Sequence, residues 1–296
     1  MKYTRNITLA AIAAGLALTS CKKTEEIEEE NKTTSPCDMK ITNSDAPRTG
    51  ETFIISDADY SELNVDSLLN IVGDDQTWDF SSITSTEEYD TIPFTSPAIV
   101  PTGVTASLEV KSDDANLLFD ASSSGLNLSA MILSEDQEND IEISLTNPLT
   151  LIPYTLTKST SVIDDYEFNV VFKDTIDTII FGTPLELPIV AEVKQENQNS
   201  FTVDGCGTVV TPSGEYDCLR YVVEPGEPTY SGTVTIAALN TTYPLTNQDI
   251  EEYGADEDSN FFEGKTYVWI NKESGMPILE VTVDSNNDVS RISYLK

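Results

Sequence analysis

Carboxylates and a few cysteines are the groups with which this 296-residue chain could do chemistry, because it contains no histidine. That absence removes Ser-His-Asp and Cys-His nucleophiles, the usual zinc sites and the two-histidine iron sites. Carboxylate-pair hydrolysis and Ser-Lys chemistry survive it, but among 51 acidic residues no pair stands out. The cysteines are Cys21, Cys37, Cys206 and Cys218. Cys206 and Cys218 flank Thr211-Pro212-Ser213-Gly214, a turn signal between two strand-like runs. Folding that hairpin brings them to nearly opposite positions, as a cross-strand bridge requires. A Cys206–Cys218 disulfide is therefore expected over a pairing with Cys37, and closing so short a loop would add about 3 kcal/mol at most.

Two acidic series place oxygens at alternate positions, Asp284, Asn286, Asp288 and Asp256, Asp258, Asn260. Calcium loops begin this way but need Gly at the sixth place and Glu at the twelfth, where this chain has Val289 and Leu295, and Phe261 and Tyr267. Both series read as acidic turns. No metal and no other cofactor is expected.

The amino-terminal residues carry an address. Lys2 and Arg5 precede an apolar run from Ile7 to Leu18, too short to span the ~30 Å core of a bilayer as a helix, and small residues follow it. Leu18-Thr19-Ser20-Cys21 resembles a bacterial lipobox, whose cysteine is diacylated and becomes the first residue after cleavage. Lys22-Lys23-Thr24 and the acidic run to Glu30 resemble the signal that sends lipoproteins of Bacteroidota to the outer face of the outer membrane. The resemblance implies lipidation at Cys21 and attachment to the membrane through that lipid, facing the cell exterior, with the periplasmic face as the alternative. Several acyl chains, each CH2 contributing ~0.8 kcal/mol, hold firmly where a single chain does not. Residues 1–20 are thus expected to be a signal peptide and 21–45 a lipidated, acidic, disordered tether. A β-rich body is expected to fill 46–296.

Formal charge is 16 − 51 = −35, and removing Lys2 and Arg5 with the signal leaves 14 − 51 = −37. Such a surface repels phosphate backbones, which excludes nucleic acid as a partner. Calcium or basic peptides would be welcomed by it.

Short β-type runs punctuated by Gly, Pro, Asn and Asp begin after Pro47. Gln76-Thr77-Trp78-Asp79-Phe80-Ser81 reads as a strand with Trp78 and Phe80 on one face. Residues 61–72 suit one short helix or a loop. Runs at 126–133, 166–172, 175–181, 188–193, 200–203, 207–211 and 216–223 follow, with the Pro-spaced segment 147–156 as the best internal boundary. The last third alternates most clearly: Leu279, Val281 and Val283 face in, and Glu280 and Thr282 face out. Period-two runs with at most one short helix after the signal mean an all-β body, an antiparallel sandwich or a strongly curved sheet, as one unit or two β subdomains.

The strand around Trp78 and the stretch Asp204-Gly205-Cys206-Gly207-Thr208…Thr211-Pro212-Ser213-Gly214…Leu219-Arg220 resemble an uncharacterised group of secreted Bacteroidota proteins. In that group the Cys206 place is more often aromatic and the Cys218 place small; the group implies no activity. Physically, the glycines read as turn and bulge positions and Arg220 as the partner of a carboxylate. Residues 265–280 are similar to the last strands of lipoprotein-carrier-like half-barrels, which implies an apolar cavity. The expectation is a non-enzymatic, surface-exposed outer-membrane lipoprotein that serves as a binding or structural module for a glycan, peptide or lipid. An acyl-chain carrier and a carboxylate-pair glycan hydrolase are the alternatives.

Overall fold

The computed structural model describes residues 35–61, 63–112, 115–134, 140–180, 183–246 and 264–296. Residues 1–34, with the expected signal, Cys21 and the acidic run, lie outside them, as does the series Asp256, Asp258, Asn260. Among the described residues no helix is long and apolar enough to cross a membrane.

The body is all-β. Its strands are β1 Thr52–Asp59, β2 Gly73–Asp79, β3 Thr84–Pro93, β4 Leu108–Lys111, β5 Ala115–Ala121, β6 Gly125–Ser134, β7 Asp140–Pro153 and β8 Ser161–Ile180. There follow β9 Thr183–Thr211, β10 Gly214–Pro225, β11 Thr229–Ile236, β12 Thr241–Pro244, β13 Lys265–Ile270, β14 Pro277–Val283 and β15 Val289–Leu295. The only α-helix among the described residues is the single turn α1, Val65–Leu69, capped by Asn64 Oδ1 accepting from the Ser67 amide. All these strands form one sheet in the order β3-β1-β15-β14-β13-β10-β9-β8-β7-β6-β5-β4, with β11, β12 and β2 attached through β9. Its ladders are antiparallel except β2 on β9.

The long strand β9 is the spine. On one edge it pairs with β8 up to Thr202 and then, from Gly205, with β2. On the other edge it pairs with β11 and then β10. Sequence reading cut β9 into three runs, because Pro184, Pro188 and the polar Gln195, Asn197 and Asn199 interrupt its apolar pattern. The strand nevertheless alternates buried and exposed residues from Leu187 through Val203. In the segment 147–156, where an internal boundary was expected, β7 runs on to Pro153 and the same sheet continues on both sides.

Two cores lie on opposite faces. The larger gathers Ile92, Phe94 and Leu108 from near the two ends of the strand path with Leu128, Phe168, Phe201 and Tyr221 from its middle. One cluster can contain all of these only if the sheet curls strongly. Its ends do approach, Thr95 and Glu109 exchanging backbone hydrogen bonds of 2.9 and 2.8 Å without continuing as a ladder. The second core, on the convex face, holds Trp78, Phe80, Val209, Cys218, Trp269, Leu279 and Val281, with Val65 and Leu69 of α1 packed over it. Glu280 does not face open solvent as expected. It stands opposite Val268 and Ser293 on the concave face, and burial pushes its carboxyl pKa up, partly offset by Arg291.

The expected tether ends earlier than residue 45. Pro36–Asp38 forms a 3-10 turn, and the fully buried Ile41 donates its amide to the Leu156 carbonyl at 3.1 Å.

Candidate functional site

The two stretches singled out in the sequence meet where β2 lies along one edge of β9, whose other edge carries β10. A β-bulge makes the meeting possible. Arg220 pairs with Gly205 and Tyr221 with Val203, so Asp204 is an extra residue on β9 and turns its carboxylate toward Arg220. Arg220 Nε and Nη2 each donate to Asp204 at 2.8 Å, and Nη1 donates to the Leu69 carbonyl at 3.0 Å. The guanidinium carbon lies 5.2 Å from the ring centre of Trp78, 5.4 Å from Tyr267 and 5.5 Å from Trp269. A fully buried charge is tolerable when bidentate pairing, a carbonyl and aromatic faces replace its water. Trp78 donates its indole N–H to Ile71 O at 3.1 Å and meets Trp269 edge to face.

The glycines of the stretch serve close approach more than turning. A Cβ at Gly205 would meet the Trp78 ring at 2.9 Å, and one at Gly207 would lie on the Gln76 backbone. Only residues without a side chain let the parallel strand β2 settle there. Arg220, with its guanidinium saturated by these partners, is a packing centre and presents no group to a ligand.

The expected Cys206–Cys218 bridge is not formed; Cys206 is bonded to Cys37, 169 residues away, and Cys218 is a free, buried thiol. The register of the hairpin keeps the two cysteines apart. Pro212-Ser213 is a two-residue turn that pairs Thr211 with Gly214, so Cys206 stands opposite Leu219, and Cys218 opposite Gly207. One step of register sends a strand side chain to the other face. Cys206 accordingly belongs to the concave core and Cys218 to the convex one. Burial raises the pKa of the Cys218 thiol far above its usual range, which makes it inert.

Around the bridge stand groups that sequence reading passed over. β2 and β9 are in register at Gly73–Gly205 and again at Gln76–Gly207, so Asp74 and Asp75 bulge out opposite Cys206. Asp74 Oδ1 lies 3.5 Å from Cys206 Sγ and Asp75 Oδ1 3.7 Å from Cys37 Sγ. The Asp75 amide donates to Cys37 Sγ at 3.4 Å, and Lys158 Nζ pairs with the other oxygen of Asp74 at 2.8 Å. Asp-Asp before a strand is unremarkable in a chain this acidic, and only the bulge gives these two a target.

A cleft of about 700 Å3 opens beside the β9–β10 turn, lined by Met39, Asp45, Glu215, Tyr216, Asp217, Asn271, Lys272 and Glu273. The series Asp284, Asn286, Asp288 is an acidic turn, as read. Asp284 Oδ1 accepts from the amides of Asn286 at 2.8 Å and Asp288 at 2.9 Å, which lowers its pKa. Comparison with models of known protein families, with curated proteins and with solved structures gives no match.

Proposed function

We propose that this chain is a lipid-anchored protein of a Bacteroidota-type outer membrane, facing the cell exterior, whose body is a non-enzymatic binding or structural module. The observation that carries the reading is the Cys37–Cys206 bridge, which joins the segment next to the acylated Cys21 to the spine of the sheet. A load on the anchor then passes to β9, which has neighbours on both edges, and not to the end of a chain free to peel. Disulfides persist in oxidising spaces outside the cytoplasm, in keeping with export.

The described interior suits the module better than it suits an acyl-chain carrier. A carrier of acyl chains needs an apolar cavity of several hundred Å3. The roomy cleft beside the β9–β10 turn has Asp45, Glu215, Asp217 and Glu273 on its walls, which repel a fatty-acid headgroup. Large side chains such as Tyr166, Phe201, Tyr221 and Leu128 occupy the concave side of the sheet.

Protease shaving of intact cells tests the placement. The native protein is expected to be cleaved without lysis, and the Cys21→Ala variant to leave the membrane fraction. Protection of the native protein on intact cells rejects the outward orientation, and an unmodified amino terminus by mass spectrometry rejects the anchor.

A further inference from the structure

The bulge that aims two carboxylates at the bridge is not explained by the bridge. Neither sulfur of a disulfide carries a hydrogen, so Asp74 and Asp75 have nothing to accept from Cys206 and Cys37 at 3.5 and 3.7 Å. Asp75 Oδ1 accepts instead from the Ser35 hydroxyl at 3.3 Å; a thiol at Cys206, or a cation bound by thiolates, would give Asp74 Oδ1 a partner. We propose that, when reduced, Cys37, Cys206 and Asp74 form a binding site for a thiophilic divalent cation of the zinc class, which keeps the amino-terminal segment fastened to β9 without the covalent bond.

The spacing is that of a metal's ligands. A thiolate sulfur ~2.3 Å and a carboxylate oxygen ~2.0 Å from a tetrahedral zinc stand roughly 3.5 Å apart. The Asp74–Cys206 contact already has that length. The ligand atoms of Cys37, Asp74 and Cys206 all lie within 4.8 Å of one another. Parting the two sulfurs to roughly 3.7 Å, the edge between two zinc-bound thiolates, is the adjustment required.

Outer partners are in place too. The Asp75 amide donates to Cys37 Sγ, and Lys158 holds the far oxygen of Asp74 and offsets part of the negative charge of two thiolates and a carboxylate. Asp74 and Asp75 are both exposed, so an ion can enter from solvent and water can fill the fourth position.

The electron balance is simple. The first thiol of a dithiol reductant attacks the bridge, forming a mixed disulfide and freeing one cysteine thiolate. The second thiol closes the reductant's own disulfide and frees the other, so two electrons pass to Cys37 and Cys206. The cation then takes both thiolates, and the two protons those thiols would otherwise hold go to solvent.

Cobalt(II) titration of the purified mature protein, reduced by a phosphine under inert gas, tests the site. Expected are one equivalent bound, a thiolate-to-cobalt charge-transfer band with tetrahedral ligand-field bands, and displacement by zinc. The oxidised protein should show no such band. Cys37→Ser should abolish it, Asp74→Asn should weaken binding at least about tenfold, and Cys218→Ser should leave it unchanged. If reduction alone unfolds the chain by circular dichroism, zinc is expected to restore the strand signal. Absence of the thiolate–cobalt band, a band that survives Cys37→Ser, or equal affinity in Asp74→Asn overturns the proposal, as does zinc that fails to rescue an unfolded reduced chain.

Discussion

Leu219 and Arg220 are neighbours on β10, yet they face opposite cores under different rules. On the convex side the polar centre is Arg220, although the Trp269 indole N–H beside it is buried without a partner. Arg220 has a bidentate carboxylate, a backbone carbonyl and three aromatic faces. On the concave side the Tyr154 hydroxyl is buried with no hydrogen-bond partner, and the amides of Asn197 and Asn199 meet only the hydroxyl of Tyr166. The small core therefore specifies its geometry through one charged hub. The large one coheres by apolar packing and by a covalent bridge at its rim. A polar group inside a sheet stabilises it only where the backbone irregularity that satisfies it is also present, as the Asp204 bulge is for Arg220.

The largest test of this contrast is the bridge. Cys37→Ser opens a loop of 169 residues' separation, for which the chain-entropy argument gives a loss approaching ~5 kcal/mol. Cys218→Ser should leave the bridge intact, as non-reducing mass analysis will report. Were Cys218→Ser to remove it instead, the assignment of the two faces would be wrong.

The hub comes next. Asp204→Ala strands a buried guanidinium and is expected to cost about 3–5 kcal/mol in urea denaturation. Adding Arg220→Met should recover much of that loss, and a double variant no better than the single one would deny the hub its charge logic. Gly207→Ala drives a methyl into the Gln76 backbone, with an expected cost of about 1–3 kcal/mol through detachment of β2. The opposite sign is expected on the concave side. There Tyr154→Phe removes a buried hydroxyl that has no hydrogen-bond partner, for an expected gain of about 1 kcal/mol in urea denaturation.

Glu280 gives the smallest effect, in its pH dependence. Burial raises its carboxyl pKa in the folded chain, so the folded state holds the proton to higher pH than the unfolded one. The stability it contributes is complete below the ordinary carboxyl range and fades as pH rises through the raised value. Glu280→Gln should therefore melt above the native protein at neutral pH and alongside it in acid.

Much of the fold was legible because strands with one buried face carry a period-two pattern. Trp78 and Phe80 face the convex core as their spacing required, and residues 277–283 form β14. The reading failed where a strand broke the pattern or where both faces were covered. β9 hid behind Gln195, Asn197 and Asn199, and Glu280 was placed outward because polarity was taken for exposure. The cysteine pairing was closer to legible: counting Pro212-Ser213 as the whole turn sets Cys206 against Leu219 and removes Cys218 from reach.

Composition and local pattern alone determined the all-β class and the exclusion of histidine chemistry, and they raised the expectations of an anchor at Cys21 and of no nucleic-acid partner. Tertiary structure alone decided that Cys37 bonds Cys206, that a bulge turns Asp204 onto Arg220, and that Asp74 and Asp75 face sulfur. The physical reason is register. A strand announces its period in its own residues, but which residues meet is set by neighbours far along the chain, and one inserted residue moves every contact to the other face.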